Sequence, residues 1–210
     1  MPTTAGDIYV RSGDSGAFTA VEYVQGGWIT VDSGSTMRSL DESRLKDGQV
    51  VGLIQGKAEA GPRALGNRSL LLDPTLLNCK DIMNKIKKRE TFRPFAISIV
   101  EDVVEDYFDF KNINKSPFMM YAPQAKDKAK NIISGVLHVD NTCRVQTVSE
   151  KDNFVLYQLL QNFKVPMLMN TSFNLAGYPM VDSFEDVIFS LKNSKLNYIY
   201  FADEKKLLLK

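Results

Sequence analysis

Val50-Val51-Gly52-Leu53-Ile54 leads through residues 55–59 into Gly61-Pro62-Arg63-Ala64-Leu65-Gly66-Asn67-Arg68-Ser69, and Asp73-Pro74 follows. An apolar β-type run, a turn rich in Gly and Pro, and then a helix start indicate a fold in which strands and helices are mixed. The turn also carries chemistry. Gly61 and Gly66 permit conformations closed to other residues and Pro62 fixes its own φ, so Arg63 and Arg68 are presented from a preset loop. A guanidinium offers a planar fork of donors matched to phosphate or carboxylate oxygens. The spacing matches neither a Walker A loop nor a dinucleotide fingerprint. Two solvated surface arginines are the alternative, so the segment needs support from elsewhere in the chain.

Working outward, Asp73-Pro74 reads as an N-cap with Pro at the first helical position, opening a helix through Lys88. Its apolar stripe is Leu76, Leu77, Cys79, Ile82, Met83 and Ile86. Residues 95–100 read as a strand and residues 101–108 begin a helix. Residues 118–122, 135–139, 144–148 and 165–169 read as strands, and residues 153–163 as a helix. Ser183 with Asp186 three positions on forms a variant capping box, and residues 198–202 with 207–209 close as a hairpin. The pattern is α/β, with α+β as the variant. Residues 1–35 differ: 7–11, 18–24 and 28–31 are short β-rich runs separated by Gly, Ser and Asp clusters, which suggests a small meander. Ser33-Gly34-Ser35 reads as a linker and residues 40–45 as one helical segment. The expected organisation is a β-rich extension over 1–35 and one domain over 36–210.

The chain has 210 residues, 44% hydrophobic and 24% charged, as soluble globular proteins do. It shows no apolar run near the ~20 residues of a membrane helix, and its first residues lack the regions of a signal peptide, so a cytoplasmic location with no membrane partner is expected. A formal net charge of +1 supplies no global field toward nucleic acid. Cys79 and Cys143 suggest no disulfide framework, and the lone His138 completes no common zinc spacing, so neither zinc nor iron is expected.

Three further segments concentrate polar chemistry at the ends of elements. In Lys87-Lys88-Arg89-Glu90-Thr91-Phe92-Arg93-Pro94, Pro94 biases Arg93 toward extended geometry and ends the preceding helix, placing Arg93 on a helix-to-strand connection. Pairing with Glu90 is its alternative use. In residues 138–148, alternation sets Arg144 and Gln146 on one face of a strand, with Asp140-Asn141 as the turn before it. His138 reads as a hydrogen-bonded structural residue and Cys143 as a buried filler. In Asn170-Thr171-Ser172-Phe173-Asn174, amides and hydroxyls at a strand end can meet phosphate oxygens or stabilise a turn. The inventory contains no nucleophile–base pair and no metal cage. It suits transfer chemistry on an anionic substrate, where positioning and charge stabilisation carry the catalysis.

Gly56-x-x-Glu59-x-Gly61-Pro62-Arg63-Ala64-Leu65-Gly66-Asn67-Arg68-Ser69, Asp73-Pro74, Lys87-x-Arg89-Glu90-x-Phe92-Arg93-Pro94-Phe95-Ala96, His138-Val139-Asp140 with Arg144-Val145-Gln146-Thr147-Val148, and Asn170-Thr171-Ser172-Phe173-Asn174 occur in that order. Together they resemble the C-terminal domain of the O-carbamoyltransferases of nodulation-factor and antibiotic biosynthesis, over about residues 50–201. The resemblance implies a YrdC-like twisted mixed sheet flanked by helices. It also implies binding of carbamoyl phosphate and ATP, with Mg2+ accompanying ATP, release of phosphate, and formation of carbamoyl adenylate with loss of pyrophosphate. Carried onto this sequence, Arg63, Lys87, Arg93, Arg144, Asn170 and Ser172 would surround the phosphates and the carbamoyl group, with Arg63, Lys87, Arg93 and Arg144 as the catalytic set. Arg68 has no ligand contact in this scheme and is expected to brace the loop.

Full-length members of the resembled family carry an N-terminal ASKHA-type domain with metal-binding histidines, where an acceptor hydroxyl is carbamoylated. Here a short β-rich segment stands in that place. The preferred expectation is the activating half of a carbamoyltransferase, working with a separate ASKHA-type acceptor subunit. A chain making the activated intermediate alone, or a non-catalytic phosphate, nucleotide or RNA binding module of the same fold, are the alternatives. Small-molecule phosphates are the expected ligands, and nucleic acid is not.

Overall fold

The computed structural model describes residues 8–10, 27–31, 44–45 and 47–210. A mixed sheet is its frame, built from β1 (Ile8–Val10), β2 (Gly27–Val31), β3 (Val51–Ile54), β4 (Arg68–Leu72), β5 (Ala96–Val100), β8 (Arg144–Val148), β9 (Met167–Ser172), β10 (Tyr198–Phe201) and β11 (Lys206–Leu209). Their spatial order is β1-β2-β11-β10-β3-β4-β9-β5-β8. The pairs β3/β10, β5/β8 and β1/β2 are parallel and the others antiparallel. β6 (Phe108–Asp109) and β7 (Gln124–Ala125) form a separate two-stranded ribbon. The helices are α1 (Cys79–Lys87), α2 (Val104–Tyr107) after a 3₁₀ turn, α3 (Asp127–Ile132), α4 (Phe154–Gln161) and α5 (Phe184–Lys192). None is long and apolar enough to cross a membrane.

Strand alternation divides the core into two layers. On one face Leu70, Leu72, Ile97, Ile99, Val145, Met167 and Met169 pack with residues of α1, α2, α3 and α5. On the other, Val51, Leu53, Leu71, Val100, Val148 and Leu168 pack with Leu156, Leu159 and Leu160 of α4. The α4 face changes character along its strands. Leu71 gives way to Ser69 on β4, Leu168 to Asn170 and Ser172 on β9, Val100 to Ser98 on β5, and Val148 to Gln146 and Arg144 on β8. One end of this face is therefore a polar band, and residues 55–67 lie over it.

The expected strands at 50–54, 95–100 and 144–148, the helix at 153–163 and the closing hairpin are present with small shifts of boundary. The helix expected from Asp73 is shorter. Asp73 Oδ1 accepts from Thr75 N at 2.8 Å and Thr75 Oγ1 at 2.7 Å, closing a local turn, and the helix begins at Cys79. Leu77, placed in the apolar stripe, is 82% exposed. Residues 118–122 and 135–139 are not strands. The first group touches β8 through an isolated bridge, Tyr121 to Val145, and residues 116–123 seal that edge by accepting from Thr147, Val145 and Cys143 N–H groups. The second group is a turn held close to α1, where a Cβ on Gly135 would stand 2.6 Å from the Leu76 carbonyl oxygen. β4 was not expected, because a strand buried on both faces shows no alternation.

The β-rich extension contributes β1 and β2, which continue the sheet beyond β11. They run parallel, so they are not successive strands of a meander. The run at 18–24 and the Ser33-Gly34-Ser35 linker lie outside the described residues. Of the helical segment expected at 40–45, only Arg44 and Leu45 are described, and they are helical.

The loop over the polar band is clamped from several sides. Gln55 Nε2 donates to the Gly66 carbonyl at 2.8 Å and to Asn153 Oδ1 at 3.0 Å, and Asn153 Oδ1 also caps α4 at Leu156 N. Gly66 sits at φ +114°, and a Cβ there would stand 2.6 Å from Asn153 Nδ2 and 2.9 Å from Leu156 Cδ2. Gly66→Ala should therefore cost about 1–3 kcal/mol through strain and overpacking, measured as a fall in the urea midpoint, while Gly61→Ala meets no neighbouring atom and should be milder.

Candidate functional site

The loop between β3 and β4 is built around Glu59 and Arg68. Glu59 Oε1 accepts from Leu65 N at 2.6 Å and Asn67 N at 2.7 Å, turning two backbone donors toward one carboxylate. Arg68, on β4, donates through Nη1 to the Gln55 and Asn67 carbonyls at 2.8 and 3.0 Å and through Nη2 to Gly56 O at 3.1 Å. These bonds occupy the guanidinium with backbone, and Arg68 braces the loop as expected.

A cavity of about 710 Å³ opens where the C-terminal end of α1 meets the end of β9, lined by Lys87, Lys88, Arg89, Glu90, Arg93, Ser172, Asn174, Ala176 and Gly177. Helix α1 ends because Lys88 turns into the left-handed region at φ +54°, returning its N–H to the Asn84 carbonyl. Lys87 is thereby turned inward. It is only 3% exposed, and its Nζ donates to Ser172 O at 2.5 Å and Asn174 Oδ1 at 2.8 Å, with Ser172 Oγ at 3.3 Å. Every one of these partners is an uncharged oxygen. Burial, and then the neighbouring Arg89, lower the Lys87 pKa to about 7.

Further cations follow around the site. Burial, then Arg93 and Arg144, lower the Arg89 pKa to about 10, and Arg89 lies 4.2 Å over the Phe95 ring while its Nε donates to Asn84 Oδ1. Arg144, at the start of β8, is also held below its usual value by burial and then by Arg63. Arg63 Nε, Arg144 Nε and Arg89 Nη2 are buried with no hydrogen-bond partner among the described residues. Lys87 thus feels Arg89, Arg89 feels both Arg93 and Arg144, and Arg144 feels Arg63, which links the five cations into one run. Buried cationic donors that repel one another and lack acceptors are costly to stability.

Of the residues singled out from sequence, Lys87, Arg93 and Ser172 line the cavity. Arg93 ion-pairs with Glu90 at 3.0 Å, both about half exposed, on the rim. Arg63 is near enough to lower the Arg144 pKa, and neither is among the cavity's lining residues. Asn170 is 1% exposed within the polar band, where its Nδ2 donates to Ser98 Oγ at 2.8 Å and Gln146 Oε1 at 3.1 Å, and its Oδ1 has no partner among the described residues. The structure adds Arg89 and Asn174 to the cavity wall. Their signal was in the spacing: Ser172 and Asn174 are two apart at a strand end, and Arg89 follows Lys87 by two as the helix stops.

His138 Nδ1 lies 2.8 Å from Thr142 Oγ1, which donates to Asp140 Oδ1 at 2.7 Å, so these residues fasten the turn before β8. Cys79 and Cys143 are free and buried, and burial pushes their thiols up to about 11 and about 12, away from nucleophilic use. Among the described residues no group of three or more His, Cys, Asp or Glu is placed to hold a metal ion.

Comparison with known proteins follows this geometry. The family model Carbamoyltransferase C-terminus matches residues 42–206. The chain is 38% identical over 193 residues to nodulation protein NolNO of Sinorhizobium fredii, which covers 88% of this chain and 28% of that protein. It is 34% identical over 178 residues to a 3'-hydroxymethylcephem-O-carbamoyltransferase of Amycolatopsis lactamdurans, covering 80% of this chain and 33% of that protein. The chain therefore spans a third or less of the length of these relatives. Among solved structures, E. coli YciO superposes with a TM-score of 0.57 at 12% identity over 79% of this chain and 76% of its own. Full-length HypF, in a phosphate- and nucleotide-bound form, gives 0.57 at 15% identity over 88% of this chain and 22% of its own. The fold is thus YrdC-like, and the chain belongs to the carbamoyltransferase C-terminus family.

Proposed function

We propose that this chain is the activating domain of a carbamoyltransferase: it binds carbamoyl phosphate and ATP, releases phosphate, and forms carbamoyl adenylate with loss of pyrophosphate. The observation that carries the reading is the run of partly buried cations around a cavity of about 710 Å³, with three buried guanidinium nitrogens lacking acceptors among the described residues. Family membership supplies the carbamoyl group, and HypF, which resembles this fold over 22% of its length, was solved in a phosphate- and nucleotide-bound form.

In this scheme Lys87, Arg89, Arg93 and Ser172 hold one phosphate group in the cavity, and Arg63 and Arg144 offer their free donors to a second. Fixed cations aimed at transferring phosphoryl oxygens stabilise charge that develops during the reaction, and holding both substrates together removes much of the entropic barrier. Mg2+ enters with ATP as part of the substrate. Asn170 acts from beneath, through the band that positions Ser172 and Arg144. In this proposal the acceptor hydroxyl is supplied by an ASKHA-type partner. A cytoplasmic location accords with these substrates.

The deciding experiment incubates the chain with carbamoyl phosphate, ATP and magnesium and measures pyrophosphate and carbamoyl adenylate; no product and no binding of either substrate would sink the proposal. Arg144→Ala and Arg89→Ala should each weaken phosphate binding by ~1.5–3 kcal/mol, roughly 10–100-fold, with the thermal midpoint little changed. Unaltered affinity would return that arginine to a structural role. The pH dependence has a defined sign. With Lys87 titrating near 7 in the free protein and an anion favouring its charged form, binding takes up a proton above that pH. Sulfate, whose charge is constant in this range, should bind best below pH ~7 and weaken by at most about tenfold per pH unit as pH rises. Lys87→Met should flatten that profile, as seen by titration calorimetry.

A further inference from the structure

We propose that Asn84 is a positioning residue of the anion site: its buried amide fixes the Arg89 guanidinium in the cavity wall, so that a phosphate group meets an arginine already oriented. The inference deepens the reading above and rests on it for phosphate as the ligand, whereas the hold of Asn84 on Arg89 rests on the geometry alone.

Asn84 lies inside α1 on its buried side, among Met83, Ile86 and Lys87, and is 2% exposed. Asparagine is a poor helix former, and a buried amide is costly unless its groups are bonded. Neither the helix nor the core around it therefore accounts for this residue type at this position. Its bonds do. Nδ2 donates to the Thr91 carbonyl at 3.2 Å, and Oδ1 accepts from Arg89 Nε at 2.8 Å. The two ends of the amide cannot be exchanged, because a carbonyl only accepts and a guanidinium only donates. The backbone carbonyl of Asn84 takes the N–H groups of Lys88 and of Arg89, the latter at 3.2 Å. One residue thus ends the helix, closes the turn to Thr91 and grips the arginine side chain that follows the helix.

Arg89 needs such a grip. Its guanidinium lies 4.2 Å over the Phe95 ring, and Arg93 and Arg144 repel it, a repulsion that adds to burial in lowering its pKa. A long side chain repelled in this way swings toward water unless something holds it. Bonded at Nε and laid over a ring, the planar group keeps one orientation, and Arg89 remains part of the cavity wall with its buried Nη2 free of partners among the described residues. Donors ordered before the ligand arrives avoid the entropy of ordering a flexible chain on binding. Asn84 supplies that order without being among the residues that line the cavity.

Two measurements on the full chain test the proposal. In the native protein, the Arg89 Nε–H should give its own 1H–15N signal, identified by its loss in Arg89→Lys. Its exchange with water should be slower than that of free arginine in the same buffer by about tenfold or more, and Asn84→Ala should remove this protection. Titration calorimetry with inorganic phosphate is the second measurement. Asn84→Ala should weaken binding on the order of tenfold, as loss of a group that orients a binding residue does. In the Arg89→Ala background the same substitution should change affinity by no more than about twofold. If Asn84 serves only the helix end, its loss recurs in full in that background, and this result overturns the inference while leaving the anion site in place. An Arg89 Nε–H that exchanges as fast as free arginine in the native chain overturns it too, with no variant required to fold. Absence of phosphate binding by the native chain overturns both the inference and the reading beneath it.

Discussion

Positive charge buried without a carboxylate partner is the constraint around which this molecule is arranged. Lys87 is almost fully buried against three uncharged oxygens, and burial also depresses Arg89 and Arg144. Removing an ammonium or guanidinium from water without a counter-ion is costly, and mutual repulsion adds to the cost. The three oxygens around Lys87 and the Asn84 and Phe95 contacts of Arg89 recover only part of it. The two-layer core must supply the difference, which is a reason for the site to sit at the ends of strands whose other ends are wholly apolar. A bound anion would reverse the balance, turning each repulsive pair into shared attraction.

Such a site demands a rigid frame, because charges that repel will separate if the chain allows it. Arg63 and Arg68 show how one short motif meets both needs. Arg68 spends its guanidinium on three backbone carbonyls and fixes the loop, while Arg63 keeps a buried Nε without a partner among the described residues. Glu59 within the loop commits its Oε1 to two backbone N–H groups, and Asp203 Oδ2 accepts from Gly56 N–H at 2.6 Å. The loop's negative charge is thus used for shape, and under the proposed function Arg63 is the cation it leaves for a ligand.

Much of this frame was legible from residue order. Strands β3, β5 and β8, helix α4, the hairpin β10–β11 and the capping box at Ser183 each have a strong local signal, and the structure places them where that signal lies. The errors share a cause. Strand β4 is buried on both faces, so alternation is absent, and residues 135–139 are an apolar run that tertiary packing against the start of α1 bends into a turn. Asp73 had two possible uses, and its carboxylate closes the nearer one at Thr75. At the site, Lys87, Arg93 and Ser172 could be named because charge and hydroxyl at element ends are visible in sequence. Arg89 and Asn174 were hidden because only the ending of α1 and the path after β9 bring them to the same cavity.

The polar band explains how parts of the site that do not touch can still be set relative to one another. Ser98 Oγ donates to Gln146 Oε1 at 2.6 Å, Asn170 donates to both, and Gln146 Nε2 reaches the Leu65 carbonyl at 2.9 Å. Three neighbouring strands and the loop over them are thereby joined by buried bonds. Buried polar networks are stronger when complete and costly when broken, so they specify one arrangement sharply. On β8, Gln146 is two residues from Arg144; on β9, Asn170 is two from Ser172, which holds Lys87; and Leu65 is two from Arg63. Gln146 and Leu65 therefore each sit two residues from an arginine of the cationic run, and Asn170 sits two residues from the serine that accepts from Lys87. The spacing between Lys87, Arg144 and Arg63 is in effect set by amide and hydroxyl groups that never need to meet the anion.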